Sequence, residues 1–154
     1  MHRHFLQQAV DLAVENVANG GGPFAALIVS DGRLLVTGCN RVTASHDPTA
    51  HAEISAIRAA CLQMDDFELR GCTLYSSCEP CPMCLGAIYW ARLDAVYYAC
   101  NRIDASAAGF DDGFIYAELA KSGQERRIPM YQILLNSARQ PFLAWGSLPD
   151  RVGY

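Results

Sequence analysis

The sequence predicts an α/β fold, a three-layer α/β/α sandwich around a central five-stranded mixed sheet. Three observations carry that expectation. Apolar residues recur at helical spacing near the start, at Phe5, Leu6, Ala9, Val10, Leu12, Ala13, Val14 and Val17. Two short apolar runs then flank Asp31-Gly32, a residue pair suited to a tight hairpin turn. Beyond them, helical and extended patterns alternate, and such an order puts helices on both faces of one sheet.

Each element has its own signal. Residues ~4–19 read as an amphipathic helix, stopped by Gly20-Gly21-Gly22-Pro23. Phe24–Val29 and Leu34–Thr37 are the hairpin strands. Asn40–Pro48 is polar and reads as a loop, and Asp47-Pro48-Thr49 is a suitable start for a second helix over Thr49–Gln63. Thr73–Ser76 is a third strand. Pro80–Arg92 is a third helix whose prolines sit only at its opening, where a missing N–H costs nothing. Ala95–Ala99 is a fourth strand, residues 101–114 an irregular loop, Met130–Leu135 a fifth strand and Ser137–Trp145 a last helix. The hairpin requires one antiparallel pair, and the later β-α-β crossovers favour parallel ones. One domain over residues 1–145 is expected, followed by a glycine- and proline-containing tail over 146–154.

Composition narrows the function classes. Of 154 residues, 51% are hydrophobic and 18% charged, with a net charge of −4, so the surface is poorly suited to neutralising nucleic-acid phosphates. No apolar stretch approaches the ~20 residues of a membrane span, and Met1–Val10 carries charges and amides where a signal peptide would be apolar. Seven cysteines, an odd number with one Cys-x-x-Cys, fit a metal site in a reducing compartment better than a disulfide framework. The cytoplasm is the expected location.

The chemistry concentrates in His51-Ala52-Glu53 and Pro80-Cys81-Pro82-Met83-Cys84. One imidazole and two thiolates give zinc three ligands, and a tetrahedral ion held by three protein groups keeps a position open for water, the mark of catalytic zinc. His51, Cys81 and Cys84 all fall at predicted helix starts, where partial positive charge favours thiolates. Cys81 and Cys84, three apart, share a helix face. Glu53 is not needed as a ligand and suits general acid–base work, taking a proton from water and delivering it to a ring nitrogen and a leaving amine. A rival is a closed structural site of His51, Cys78, Cys81 and Cys84. Pro80 and the strand end at Cys78 speak against it, and it has no use for Glu53.

His-x-Glu followed by Pro-Cys-x-x-Cys is an established signature of zinc nucleobase deaminases. With Gly21-Gly22-Pro23-Phe24, Asn40, Asp47–Glu53, Ser77–Ile88, Gly109-Phe110-Asp111-Asp112 and a terminal Tyr154, the chain resembles the cytidine-deaminase-like superfamily and, within it, the small bacterial guanine deaminases. That resemblance implies hydrolytic deamination of guanine to xanthine and ammonia with one zinc per chain. It implies Glu53 and Asp112 as catalytic residues, and Asn40, Asp112 and Tyr154 as substrate-binding, with Phe24 and Ala52 beside them. It also implies a homodimer whose C-terminal segment is swapped, so that Tyr154 closes the partner's pocket. Ala25 departs from the family, which often has glycine there, and an extra methyl beside the pocket loop would narrow the site.

The chemistry of guanine agrees. Its ring N–H and exocyclic amine are adjacent donors that a carboxylate such as Asp112 accepts. An amide such as Asn40 suits the edge with the purine oxygen and N7. Alternatives are a deaminase of guanosine or another aminated heterocycle, a transfer-RNA adenosine deaminase, and a non-catalytic protein with structural Cys3His zinc. Trp90 reads as a core or dimer contact, His2 and His4 as solvated, His46 as a residue of the loop before the site that could approach substrate, and Cys39, Cys61, Cys72 and Cys100 as small core residues.

Overall fold

In the computed structural model, which describes residues 1–154, Met1–Gly113 and Phe114–Tyr154 form two compact units. The first is built on side-chain alternation in β1 (Ala25–Ser30). Leu27 and Val29 pack with Phe5 and Ala9 of α1 (His2–Ala18) and with Tyr75, whereas Ala26 and Ile28 pack on the opposite side. There they meet Ala52, Ala56, Ile57 and Ala60 of α3 (Ala52–Met64) and Ile88 of α4 (Pro82–Trp90). A period of two along the strand thus separates two helical layers.

The remaining strands are β2 (Arg33–Cys39), β3 (Cys72–Cys78) and β4 (Ala95–Cys100), in the spatial order β2-β1-β3-β4. β1 runs antiparallel to both β2 and β3, and β3 is parallel to β4. The strands β2, β3 and β4 therefore share one direction, and the two crossovers, through α3 and α4, each join parallel strands. Only β1 runs against them.

Helix α3 can press against β2 because Gly38 lies beneath it. A Cβ there would stand 2.3 Å from the Ala52 carbonyl oxygen and 2.5 Å from the Ala56 nitrogen. The small residues Ala52, Ala56 and Ala60, all fully buried, meet the sheet from the other side.

The mixed sheet has four strands, not the expected five. Met130–Leu135 falls in the second unit, which comprises most of α6 (Gly113–Leu119), a 3-10 turn (Gly123–Glu125) and α7 (Gln140–Gly146). A strand exists only with a partner for its ladder, and that unit supplies none. Ile133 and Leu134 stay 81% exposed, so apolar character without a partner made no strand. Its local ties run instead from Met130 N–H to the Gly123 carbonyl at 2.9 Å and from Arg126 Nε to the Glu118 carbonyl at 3.1 Å.

Two segments read as loops contain short helices. Val42–Ser45 is α2, ended by His46 in a left-handed conformation (φ 50°). Arg102–Ala107 is α5, and its cause is local: Asn101 Oδ1 accepts from the N–H groups of Ile103 and Asp104, while Asp104 accepts from Asn101 N–H. This reciprocal cap satisfies three donors at once. His2 is not loose either, since its Nδ1 lies 2.9 Å from the Tyr75 hydroxyl and its ring stacks on Tyr97. Cys72 is buried as expected, but Cys100 is exposed and Cys39 and Cys61 are only half-buried. No helix is long and apolar enough to cross a membrane.

Candidate active site

The strand directions bring one end of the sheet together. Asn40 follows β2, Cys81 follows β3 and Asn101 follows β4, all at the carboxyl ends of parallel strands, where α/β sheets place ligand sites. Phe24 precedes β1, whose reversed direction brings its start to the same end.

His51 is the N-cap of α3 and Cys81 the N-cap of α4, both with extended backbone, and Cys84 lies in the first turn of α4. The approach to His51 is set by Asp47, whose carboxylate accepts from Thr49 N–H at 2.8 Å and from Thr49 Oγ1 at 2.7 Å. His51 Nδ1 lies 3.5 Å from Cys81 Sγ and 3.5 Å from Cys84 Sγ, and all three ligand atoms fall within 4.8 Å of one another. Zinc bonds of ~2.0–2.1 Å to nitrogen and ~2.3 Å to sulfur give tetrahedral N···S edges of about 3.5 Å. The donor set therefore fits zinc in type and in spacing.

The protonation pattern agrees with that use. The Cys81 thiol is held well below its ordinary value, first by a hydrogen bond with Cys84 and also by His51. The Cys84 thiol is pushed up, first by that same bond and then by burial. Cys78 is excluded from the cluster. Its sulfur turns to the Asn101 carbonyl at 3.7 Å, and burial pushes its thiol up to about 11, a neutral group in the packing.

Glu53, in the first turn of α3, is buried beside the cluster. Ser76 Oγ donates to its Oε1 at 3.3 Å and Cys84 Sγ to its Oε2 at 3.4 Å. Burial raises the carboxyl above its ordinary value. Ser76 was not legible as a site residue, because a serine within an apolar strand has no distinguishing pattern. Ser77 beside it accepts from Ala25 N–H at 3.1 Å. Ala25 exposes no surface, so its methyl is inside the packing rather than on a pocket wall. Ala52 is likewise wholly buried and its side chain offers a ligand no surface.

Asn40 is buried, with its Oδ1 accepting from Val42 N–H at 3.3 Å. Asp112 is half-buried, and its carboxyl is held above the ordinary range by burial first and then by the charge of Cys81, which puts it within electrostatic reach of the ligands. Asp111 differs: it is exposed, with its Oδ1 taken by Gly113 N–H at 2.8 Å. The segment before them is fastened by Phe110, whose ring meets Phe24 edge-on at 4.9 Å, and by Glu79, which accepts from Arg102 N–H at 3.0 Å. Tyr154 belongs to the second unit and is exposed there, and Trp90 on α4 is exposed rather than core.

Residues 1–100 match the family described as the cytidine and deoxycytidylate deaminase zinc-binding region. The chain is 54% identical over 154 residues to guanine deaminase of Bacillus subtilis, covering 99% of both chains. The X-ray structure of guanine deaminase from Bacillus subtilis superposes with a TM-score of 0.98, covering 100% of this chain and 99% of that one. A transfer-RNA-specific adenosine deaminase of Agrobacterium fabrum is 40% identical over 95 residues, 62% of each protein.

Metal content tests the ligand set directly. Cys81→Ser and Cys84→Ser should each lose most of the bound zinc, while Cys78→Ser and Glu53→Gln keep about one zinc per chain by elemental analysis. Loss of zinc in Cys78→Ser is the outcome that restores the closed site.

Proposed function

We propose that this chain, which belongs to the cytidine and deoxycytidylate deaminase family, catalyses the hydrolytic deamination of guanine to xanthine and ammonia. Whole-length similarity to a guanine deaminase supports the class of reaction. The observation that favours guanine among the bases is the combination of an acceptor, Asp112, with a donor, the Asn40 side-chain amide, at one end of the sheet. Guanine offers donors at N1 and its 2-amino group, and acceptors at O6 and N7. With Asn40 Oδ1 occupied by Val42 N–H, its Nδ2 is the atom left for that acceptor edge.

His51, Cys81 and Cys84 would hold the zinc, which when bound acidifies a water near neutral pH. Glu53 takes a proton from the attacking water as oxygen bonds to C2 of guanine. It delivers that proton to N3 and then carries the second proton, taken from the new C2 hydroxyl, to the 2-amino group, which departs as ammonia when the C2–N bond breaks and the C2 carbonyl of xanthine forms. A carboxyl raised by burial suits both directions of transfer. Ser76 Oγ orients it by donating to Oε1. Asp112 fixes the base through the paired donors, and Phe24 with Phe110 forms an apolar wall that limits water.

The same reading takes residues 1–145 as the deaminase domain and 146–154 as a tail exchanged within a homodimer, with Tyr154 closing the partner's site. Its support is the exposed apolar surface of the single chain: Tyr89, Trp90 and Tyr98 in the first unit, and Ile133, Leu134 and Phe142 in the second. Seven free cysteines suit a reducing compartment, and the cytoplasm is our reading of its location.

Ammonia release from guanine, guanosine, cytosine, adenine and a transfer-RNA anticodon stem tests the substrate. Guanine should dominate, and preferential release from the anticodon stem would sink the proposal. Asp112→Asn turns an acceptor into a donor facing guanine's own donors, so transition-state binding read from kcat/KM should weaken by about 3 kcal/mol or more, on the order of 10²-fold. A larger loss in Asp111→Asn contradicts the assignment within the pair. The exchanged tail predicts that deleting Gly153 and Tyr154 sharply lowers turnover while zinc content and Tm stay nearly constant. Mixing that truncated chain with an inactive Glu53→Gln chain should restore one site of two. No recovery despite demonstrated subunit exchange refutes the contribution of Tyr154 in trans.

A further inference from the structure

The buried polar side chains of this protein are Asn16, Asn40, Glu53, Ser76 and Ser77. Four belong to the site already described. Asn16 is the fifth, on α1, a helix that carries none of the assigned residues. Asparagine is a poor helix former, and burying its amide is costly unless it is hydrogen-bonded. Its Nδ2 makes two bonds, to the Gly22 carbonyl at 2.8 Å and to the Asn40 carbonyl at 3.0 Å.

These two acceptors flank the entrance to β1 and the exit from β2. Asn16 therefore ties the glycine loop to Asn40 from behind. Two of its glycines have no room for side chains: a Cβ on Gly21 would stand 2.3 Å from Asn16 Nδ2, and one on Gly22 would stand 2.8 Å from Asn40 Oδ1. Asn40 is held at three points. Its N–H donates to the Phe24 carbonyl at 3.0 Å, its carbonyl accepts from Asn16, and its Oδ1 accepts from Val42 N–H. With three of its four polar groups engaged, the direction of the remaining one, Nδ2, is determined.

We infer that Asn16 is a positioning residue for substrate recognition, which aims the Asn40 side-chain amide by joining the Gly21-Gly22 loop to the Asn40 backbone. The inference rests on the reading of Asn40 as a substrate-binding residue. Asn16 touches no substrate. It acts on the orientation of a group that does, so its loss should raise KM for guanine more than it lowers kcat. A helix residue serving only the packing of α1 would lower stability, with a kinetic effect independent of Asn40.

A double-mutant cycle separates these. Guanine kinetics are compared in the parent, Asn16→Ala, Asn40→Ala and the pair, with zinc content and Tm recorded for each. Asn16→Ala should raise KM by about tenfold or more, kcat should change by less than about threefold, and the double variant should match Asn40→Ala alone. Asn16→Ser, which keeps one donor, should recover part of the KM. Gly22→Ala pushes on the Asn40 side chain from the opposite direction and should show the same non-additivity. It decides the matter should the Asn16 variants fail to fold. If the Asn16 or Gly22 losses multiply with that of Asn40→Ala, the positioning role is overturned while the substrate reading of Asn40 stands. If Asn40→Ala leaves guanine turnover intact, that reading fails and the inference falls with it.

Discussion

One imidazole nitrogen and two thiol sulfurs must meet within tetrahedral edges of an ion, and every larger feature of the first unit serves that requirement. The ligands come from two helix N-caps and one first turn. Two helices can bring their N-termini to one point only if the strands preceding them run in the same direction. β2 and β3 do so because β1 lies reversed between them. The close approach of α3 to β2 at Gly38 then sets how far His51 reaches. A side chain at that position would displace the helix that carries both His51 and Glu53.

The same geometry explains how a carboxylate can sit beside the ligands without joining them. Glu53 is two residues past the N-cap, turned inward to Ser76 and Cys84 rather than outward to solvent. Burial strengthens its electrostatic coupling to anything bound nearby and keeps its proton affinity high. The loop after β4 adds the residues to which we assign recognition. α5 is fixed at its start by the Asn101–Asp104 cap and by Glu79, and it delivers Phe110 against Phe24 and Asp112 toward Cys81. Residues following β2, β3 and β4 thus converge at one end of the sheet.

Much of this was legible in the sequence, because it rests on local patterns. The helical periodicity of α1, the Asp31-Gly32 turn, the prolines opening α4 and the ligand motifs all act over a few residues. The antiparallel β1–β2 pair and the parallel β3–β4 pair followed from the hairpin and the crossovers, whereas the second antiparallel pair, β1 with β3, did not. What was not legible depends on partners distant in sequence. Met130–Leu135 has the composition of a strand, but ladder pairing is a property of neighbours, and its unit supplies none. Cys100 is apolar enough for a core yet lies exposed at the end of β4, beyond β3 at the edge of the sheet. Ser76 and Asn16 gained significance only once β3 and α1 were placed against Glu53 and Asn40. α5 is the exception: Asn101-Arg102-Ile103-Asp104 is a local capping pattern, and it was readable.

The account turns on an open zinc site, with three protein ligands and Glu53 outside the coordination shell. X-ray absorption at the zinc edge of the purified protein tests this most directly. The account predicts two sulfur neighbours at about 2.3 Å and two lighter neighbours, one from His51 and one from solvent, at about 2.0–2.1 Å. Three sulfurs and a single nitrogen would contradict it, since Cys78 would then be a ligand, the site closed and Glu53 without a water to act on.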